Sequence, residues 1–428
     1  MTESHEPLRF AHYSDTHLGR EQYHDAVAPN GRNQRGVDLV KSFHNVALDI
    51  AGREDVPLAI HAGDVCDTPN TPIAYMLAAK TEINRIASPL SEDSPYIRQH
   101  VIIAGNHDMP HSPQDPCYLA LFRGAPGVHI ITQGYQIVTF DDEVAEGWAH
   151  PSLADVAIHC IPHDDLKTLE WETVQPVEGR RNILVTHGVA EGSTLYVQAR
   201  GREYPIPADV MGRDWDYVAL GHWHKRGPVF LTGSTEATKS RIWYSGSPDN
   251  CNFSDARDDN GKGYLLVDLG ATQAEMPKVE EVTLPIRPMV TLPPVDAENL
   301  SPEEISDALV DRVKEAEEQG VLHGAVIRQR VTNAKQDLWA LVDRKPAKKA
   351  AESALAYDCR PLYAGDAYDE NGQVPDTPEP DQPSDFEKIL NETAEELLPE
   401  RLREPALKSA VTLLNEHLAE PIIDGDNK

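Results

Sequence analysis

Residues 8–17 read Leu8-Arg9-Phe10-Ala11-His12-Tyr13-Ser14-Asp15-Thr16-His17. The apolar run over 8–14 predicts a buried strand, and Asp15 and His17 fall at its C-terminal end. The pattern recurs. Pro57-Leu58-Ala59-Ile60-His61-Ala62 leads into Gly63-Asp64, and 100–104 leads into Gly105-Asn106-His107-Asp108. Between these strands, Val37, Val40, Phe43, Val46, Ala47 and Ile50 lie at helical spacing, and 73–86 reads as a second helix. Strand, helix, strand at these lengths predicts right-handed crossovers in a layered α/β sheet. Ligands are expected at the C-terminal ends of such strands. Further strands are predicted at 156–161, 182–186, 217–220, 241–245 and 262–267. Two of them run into His187-Gly188 and Gly221-His222-Trp223-His224. The expected architecture is α/β, with two sheets packed face to face and helices outside.

Asp15, His17, Asp64, Asn106, His187, His222 and His224 are seven side chains of metal-ligand type in five short blocks. Cleaving a phosphoester at neutral pH needs an activated water and neutralisation of charge developing on the phosphate. Two divalent ions about 3.5–4 Å apart do both. Such a pair needs one short anionic ligand between the ions, and Asp64 is placed to bridge. Asp and His suit Mn, Fe or Zn, while the lack of Cys in the blocks disfavours a structural zinc site. Gly63, Gly105, Gly188 and Gly221 let the backbone turn sharply and approach the ions.

The order D-x-H, G-D, G-N-H-D, H-G, G-H-x-H resembles the calcineurin-like metallophosphoesterases. That resemblance implies a four-layer α/β/β/α sandwich. It implies one ion held by Asp15, His17, Asp64 and His224, and a second by Asp64, Asn106, His187 and His222, with Mn2+ as the expected metal. It also implies that His107 contacts the phosphate and protonates the leaving group, and that Asp108 orients His107. Phe10 to Gly19, Gly63-Asp64-Val65-Cys66-Asp67-Thr68, the stretch from Asp216 to Lys225, and Tyr244-Ser245-Gly246-Ser247-Pro248 narrow the likeness. They resemble the DNA double-strand-break repair nucleases: the bacterial SbcD subunit and the Mre-type enzymes of archaea and eukaryotes. Archaeal and eukaryotic members often carry a histidine three residues after the bridging Asp; Asp67 stands there, as in SbcD-like chains. The resemblance covers about residues 8–270.

At 428 residues the chain has room for several domains. The expected division is a nuclease domain over 1–283, a small α/β capping, DNA-binding domain over 284–365, a Pro-rich acidic linker over 366–384, and a helical segment over 385–428. Ser301-Pro302-Glu303-Glu304 reads as a capped helix start. Apolar positions Phe386, Ile389, Leu390, Leu397, Leu402, Leu407, Val411, Leu414 and Leu418 form one face of the last segment. The resemblance implies that such C-terminal helices bind the coiled coil of an SMC-like ABC ATPase, SbcC in bacteria and Rad-type elsewhere. It also implies a homodimer, with Met76, Leu77 and Ile83 as candidate contacts. No stretch approaches about 18 uninterrupted apolar residues, so no membrane span is read. The N-terminus lacks a signal pattern, and five cysteines in no framework spacing point to a reducing cytoplasm.

The expected activity is therefore exo- and endonucleolytic processing of DNA double-strand ends, including single-stranded or hairpin forms. The net charge of −31 weighs against it, because DNA binding rests on Lys and Arg. Acidity on faces away from the groove, or adaptation to a high-salt cytoplasm, reconciles the two. The alternatives are a phosphoesterase acting on a phosphoprotein, cyclic nucleotide or nucleotide sugar, and a non-catalytic scaffold for the ATPase. Arg180-Arg181, Arg200-Gly201-Arg202 and the cluster from Arg344 to Lys349 are candidate phosphate contacts. His12, His44, His61, His159 and His163 read as core or surface residues, and Tyr13 and Trp223 as buttresses of the site.

Overall fold

A computed structural model describes residues 6–110, 112, 115–191, 205–231, 241–257, 261–272 and 275–363. Residues 1–364 fall in one compact unit. The predicted linker and C-terminal helices lie outside the described residues, as does Arg200-Gly201-Arg202.

The first sheet holds β1 (Leu8–Tyr13), β2 (Leu58–His61), β3 (Gln99–Ile103), β4 (Val128–Ile131), β11 (Gly263–Leu269) and β12 (Lys278–Thr283), in the order β12-β11-β1-β2-β3-β4. β1 through β4 pair in parallel, and β11 closes antiparallel on β1. The second sheet holds β5 (Gln136–Val138), β6 (Val156–Ile161), β7 (Arg181–His187), β8 (Tyr217–Gly221), β9 (Gly227–Pro228) and β10 (Ile242–Tyr244), in the order β5-β6-β7-β8-β10-β9. Phe10, Leu58, Ile60, Val101 and Val267 of the first sheet meet Ile158, Cys160, Ile183, Val185 and Ala219 of the second in one dry layer. Each Val, Leu, Ile and Phe of this set contributes about 1.5–3 kcal/mol. A slip of one residue would turn the whole set outward, so this interface fixes the register.

Helices α1 (Gln34–Ala51) and α2 (Ile73–Ile86) cover the outer face of the first sheet, burying Leu39, Phe43, Val46, Ala79 and Ile83. The second sheet's outer face is covered, among the described residues, by short turns and a four-residue helix, Ala208–Met211. Arg98 is wholly buried beneath α2, and its guanidinium donates to the carbonyls of Val56, Ile86 and Arg53.

A third sheet is built on β15 (Val326–Ala334). It pairs in parallel with β13 (Met289–Thr291), β14 (Val295–Asp296) and β16 (Ala356–Tyr363). Helix α3 (Pro302–Glu318) packs Ile305 and Leu309 on it. Ser301 caps α3 as its sequence predicts: the Ser301 side chain accepts from the Glu304 N–H, and the Glu304 carboxylate accepts from the Ser301 N–H.

Candidate metal centre

The five blocks follow five parallel strand ends. Asp15 and His17 leave β1, Asp64 leaves β2, Asn106 to Asp108 leave β3, His187 ends β7, and His222 and His224 leave β8. Backbone bonds lace these ends together: the Asp15 N–H donates to Gly63 O at 2.9 Å, and the His17 N–H to Asp64 O at 3.2 Å. Asp15, His17, Asp64 and His222 all sit at positive φ (55°, 42°, 61° and 96°), conformations that L residues adopt at some expense. Such strain gathers where side chains must be aimed. The glycines are there because no Cβ fits. One at Gly105 would lie 2.1 Å from Asp64 Oδ1, and one at Gly63 would lie 2.4 Å from His187 Nδ1.

All seven side chains converge. On one side of Asp64, His17 and His224 bring their Nε2 atoms within 3.0 Å of each other, and His17 Nε2 lies 3.7 Å from Asp64 Oδ2. The donor atoms of Asp15, His17 and Asp64 lie within 4.8 Å of one another. On the other side, His187 Nε2 is 3.2 Å from Asp64 Oδ2 and 3.0 Å from Asn106 Oδ1, and His222 Nδ1 is 3.1 Å from that same oxygen. Both oxygens of Asp15 accept from the His222 N–H, which links the two sides.

The histidine orientations show what these atoms present. His187 Nδ1 is 2.7 Å from the Ala62 carbonyl, which can only accept, so Nδ1 carries the proton. Neutral His187 then points a lone pair at two oxygens. The lone pair and the Asp64 carboxylate are both acceptors 3.2 Å apart, a separation that a proton or a metal cation between them would stabilise. With a proton as that cation, burial opposes the charge but Asp64 outweighs it, lifting His187 to about 9. A divalent ion would take the same place. His224 repeats the arrangement, its Nδ1 3.0 Å from Asp255 Oδ2. A second ring nitrogen bonded to a carboxylate or carbonyl is characteristic of metal-bound imidazole. Burial also opposes charge on Asp64, yet His187, His107 and His17 hold its carboxyl well below the ordinary range. Imidazole nitrogen, carboxylate and amide oxygen suit Mn, Fe or Zn.

His107 is positioned by the Asp67 carbonyl, 2.6 Å from its Nδ1, while its backbone N–H donates to Asp64 Oδ1 at 2.9 Å. Asp108 was expected to orient His107, and the structure corrects this. Asp108 Oδ2 accepts from the N–H groups of Asp64 and Gly105, and Oδ1 from those of Val65 and Cys66 and from the Tyr118 hydroxyl. Asp108 thus rivets the loop after β2 to the loop after β3. Burial, and next the Asp64 charge, push its carboxyl up to about 6.

Sequence reasoning missed Asp255 and the carbonyl of Asp67. The Asp67 side chain lies 3.2 Å from Arg20 Nη1 and 3.4 Å from His17 Nδ1. It also missed Cys251, a buried thiol whose sulfur lies within 4.8 Å of ring nitrogens of His17 and His224. His12, His61, His159 and His163 are buried outside the ligand set. His44 pairs with Glu82 at 2.9 Å on the helical face. His61 Nδ1 accepts the Gly63 N–H, and His163 stacks on His222, so both support the site. Tyr13 is buried with its hydroxyl on His100, and Trp223 packs against the second sheet's outer core. Arg180 and Arg181, candidate phosphate contacts from sequence, are engaged with acidic side chains and carbonyls. Arg181 begins β7, six residues before His187, and Arg180 precedes it. Arg180 pairs with Asp141, and Arg181 with Asp155 and the Ser152 and Glu6 carbonyls.

Fold and site together define a metal-dependent hydrolase. The chain belongs to the calcineurin-like phosphoesterase family, whose sequence model matches residues 8–226. Among curated proteins it is similar to the DNA double-strand break repair protein Mre11 of Sulfolobus acidocaldarius, 27% identical over 319 residues, 74% of each chain. The Mre11 protein of Sulfurisphaera tokodaii is 26% identical over 284 residues, 64% of this chain and 62% of that one. A solved purple acid phosphatase from yellow lupin (Lupinus luteus) seeds aligns over 65% of this chain and 52% of its own, at 14% identity and a TM-score of 0.39.

Proposed function

We propose that this chain is a two-metal-dependent DNA nuclease that processes double-strand ends. The observation that carries the reading is the pair of donor groups on either side of buried Asp64, together with similarity to named repair proteins. Asp15, His17, Asp64 and His224 would hold one ion, and Asp64, Asn106, His187 and His222 the other, with Mn2+ as the metal. Bound there, the ions supply a nucleophilic hydroxide and neutralise charge on the phosphate.

The chain's own residues do the rest. Asp64, fixed by the loops that Asp108 ties together, sets the spacing of the two sides. His107, its Nδ1–H held by the Asp67 carbonyl, directs Nε2 at the leaving group. As the P–O bond breaks, Nε2–H gives its proton to the departing 3′ oxygen. The 284–365 segment caps the groove. The residues over 385–428 dock an SMC-like ABC ATPase. A homodimer forms through α2, where Ile73 and Leu77 are 74% and 59% exposed. Ile83, a candidate from sequence, is instead fully buried in the core, and Met76 is partly buried against it. All five cysteines are unpaired, which supports a cytoplasmic setting. No helix among the described residues is long and apolar enough to cross a membrane.

The charge of −31 favours a second reading, a phosphoesterase for a substrate other than DNA. Mn-dependent degradation of linear duplex, at low and high salt, separates the two. Degradation lost in Asp64→Ala and His107→Ala is the expected result. No degradation at any salt, with mutation-sensitive hydrolysis of bis-p-nitrophenyl phosphate, would move the assignment to the second reading.

A further inference from the structure

Residues 247–257 run between the metal centre and the third sheet, and three of their side chains are committed to opposite ends. Asp255 Oδ2 holds His224 Nδ1 at 3.0 Å. Phe253, 5% exposed, packs on Met289 of β13 and Val326 of β15, with the Arg328 guanidinium 4.0 Å over its ring. Asp249 takes Arg35 Nη2 at 3.0 Å and the Ser42 hydroxyl at 2.5 Å. Arg35 also donates to Asp38 at 3.0 Å, and Asp38 accepts from Arg287 through both oxygens, at 2.5 and 2.9 Å. Arg287 in turn donates to Gly324 O at 2.5 Å, just before β15. Two separate routes therefore fasten this strap to the third sheet.

The strap is stiff where it matters. Asn252 Oδ1 accepts the N–H groups of Ser254 and Asp255 at 2.7 and 3.0 Å. Asp255 Oδ2 returns to the N–H groups of Cys251 and Asn252 at 2.8 and 3.3 Å. Phe253 and Asp255 thus belong to one reciprocally bonded turn. His187 and His222 lie on the other side of Asp64, at the Asn106 side chain. The His187 ring is set by the Ala62 carbonyl.

We infer that the 247–257 strap transmits the position of the third sheet to His224. Phe253 and Asp255 are then positioning residues that tune one of the two ions and leave the other alone. A duplex or partner that displaces the third sheet would adjust the affinity of the ion at His17 and His224. The inference rests on the two-ion reading above. Its mechanism is the ordinary one by which a partner of an imidazole ligand controls the ligand's aim, where loss of the partner weakens metal binding by about 10- to 100-fold.

The test is a Mn2+ titration of the full chain, followed by electron paramagnetic resonance, which distinguishes coupled pairs from single ions. Wild type is expected to bind two ions. Asp255→Asn and Phe253→Ala are each expected to weaken one ion by about tenfold or more while the other changes less than about twofold. Phe253→Tyr keeps the ring and is expected to restore both. If Phe253→Ala does not fold, Arg328→Met probes the same contact from the third sheet, and a loss of about threefold at the same single ion is expected. Weakening in Asp255→Asn with both ions unchanged in the Phe253 and Arg328 variants would overturn transmission from the sheet and leave the two-ion reading intact. A wild type that binds one ion or none would overturn the two-ion reading, and the inference with it.

Discussion

Replacing Asp108 by Asn separates two roles for this carboxylate. The side chain keeps its shape, but one acceptor oxygen becomes an NH2 group. Oδ2 serves two buried backbone donors, and Oδ1 serves two more and the Tyr118 hydroxyl. If Oδ1 becomes the NH2 group, the Val65 N–H loses its acceptor, while the Cys66 N–H keeps the Tyr118 hydroxyl at 2.9 Å; if Oδ2 does, the Asp64 and Gly105 N–H groups lose theirs. Each orphaned donor costs about 1–3 kcal/mol, so in the less costly orientation the variant should lose about 1–3 kcal/mol. That is a large share of a typical stability of about 5–15 kcal/mol. Urea unfolding at pH 7 reads the loss as a lower midpoint. Because the bonds hold the turns that carry Asp64 and Asn106, Mn2+ affinity should fall as well. His107→Ala should leave both nearly unchanged while activity disappears. An Asp108→Asn protein with the wild-type midpoint and wild-type Mn2+ affinity, but no activity, would refute the structural role and return Asp108 to catalysis.

Other consequences are equally direct. Gly105→Ala puts a Cβ 2.1 Å from Asp64 Oδ1, so Mn2+ binding should fall by at least about tenfold in a titration, whereas alanine at Gly134, which has open space but a φ of 73°, should cost about 1–2 kcal/mol of stability and leave Mn2+ binding unchanged. Arg98→Ala removes the donor from three buried carbonyls and a large buried side chain, and should lower stability by about 3–5 kcal/mol in urea unfolding. Burial raises the Asp38 carboxyl, but Arg287, Gln34 and Arg35 outweigh burial and hold it below 3.8. A depressed carboxyl stabilises the fold above its unfolded value, and that contribution is lost as pH falls through the folded value. The wild-type advantage over Asp38→Asn should therefore be full at pH 7 and shrink below about pH 4, read from thermal midpoints at both.

The ligands were legible because each short polar block follows an apolar run, and parallel strands send such blocks to one edge. Asp15, Asp64 and His187 needed only that rule. Asp255 was not legible, since it lies 31 residues from His224 in a stretch with no periodicity. The grip on His107 comes from a backbone carbonyl, which no side-chain pattern reports. Asp108 misled for the opposite reason: a carboxylate beside a catalytic-type histidine looks like its partner, yet the chain turns it inward to four N–H groups. Among the strands, β12 went unread because Lys278, Glu280, Glu281 and Thr283 face solvent on a sheet edge, leaving Val279 and Val282 as its only apolar marks. β16 went unread because Asp358, Arg360 and Pro361 interrupt it, and its place is set by pairing with β15. α2 was read to its ends, 73 and 86, because both termini are marked by the loss of apolar spacing.

The sharing of Asp64 by two ions is the claim on which the rest depends, and counting Mn2+ per chain in wild type and Asp64→Asn tests it most directly. Two ions with an exchange-coupled resonance signal in wild type, and neither the coupling nor the second ion in the variant, is the expected result. A wild type that binds a single ion, or two ions with no coupling that Asp64→Asn leaves in place, would contradict it.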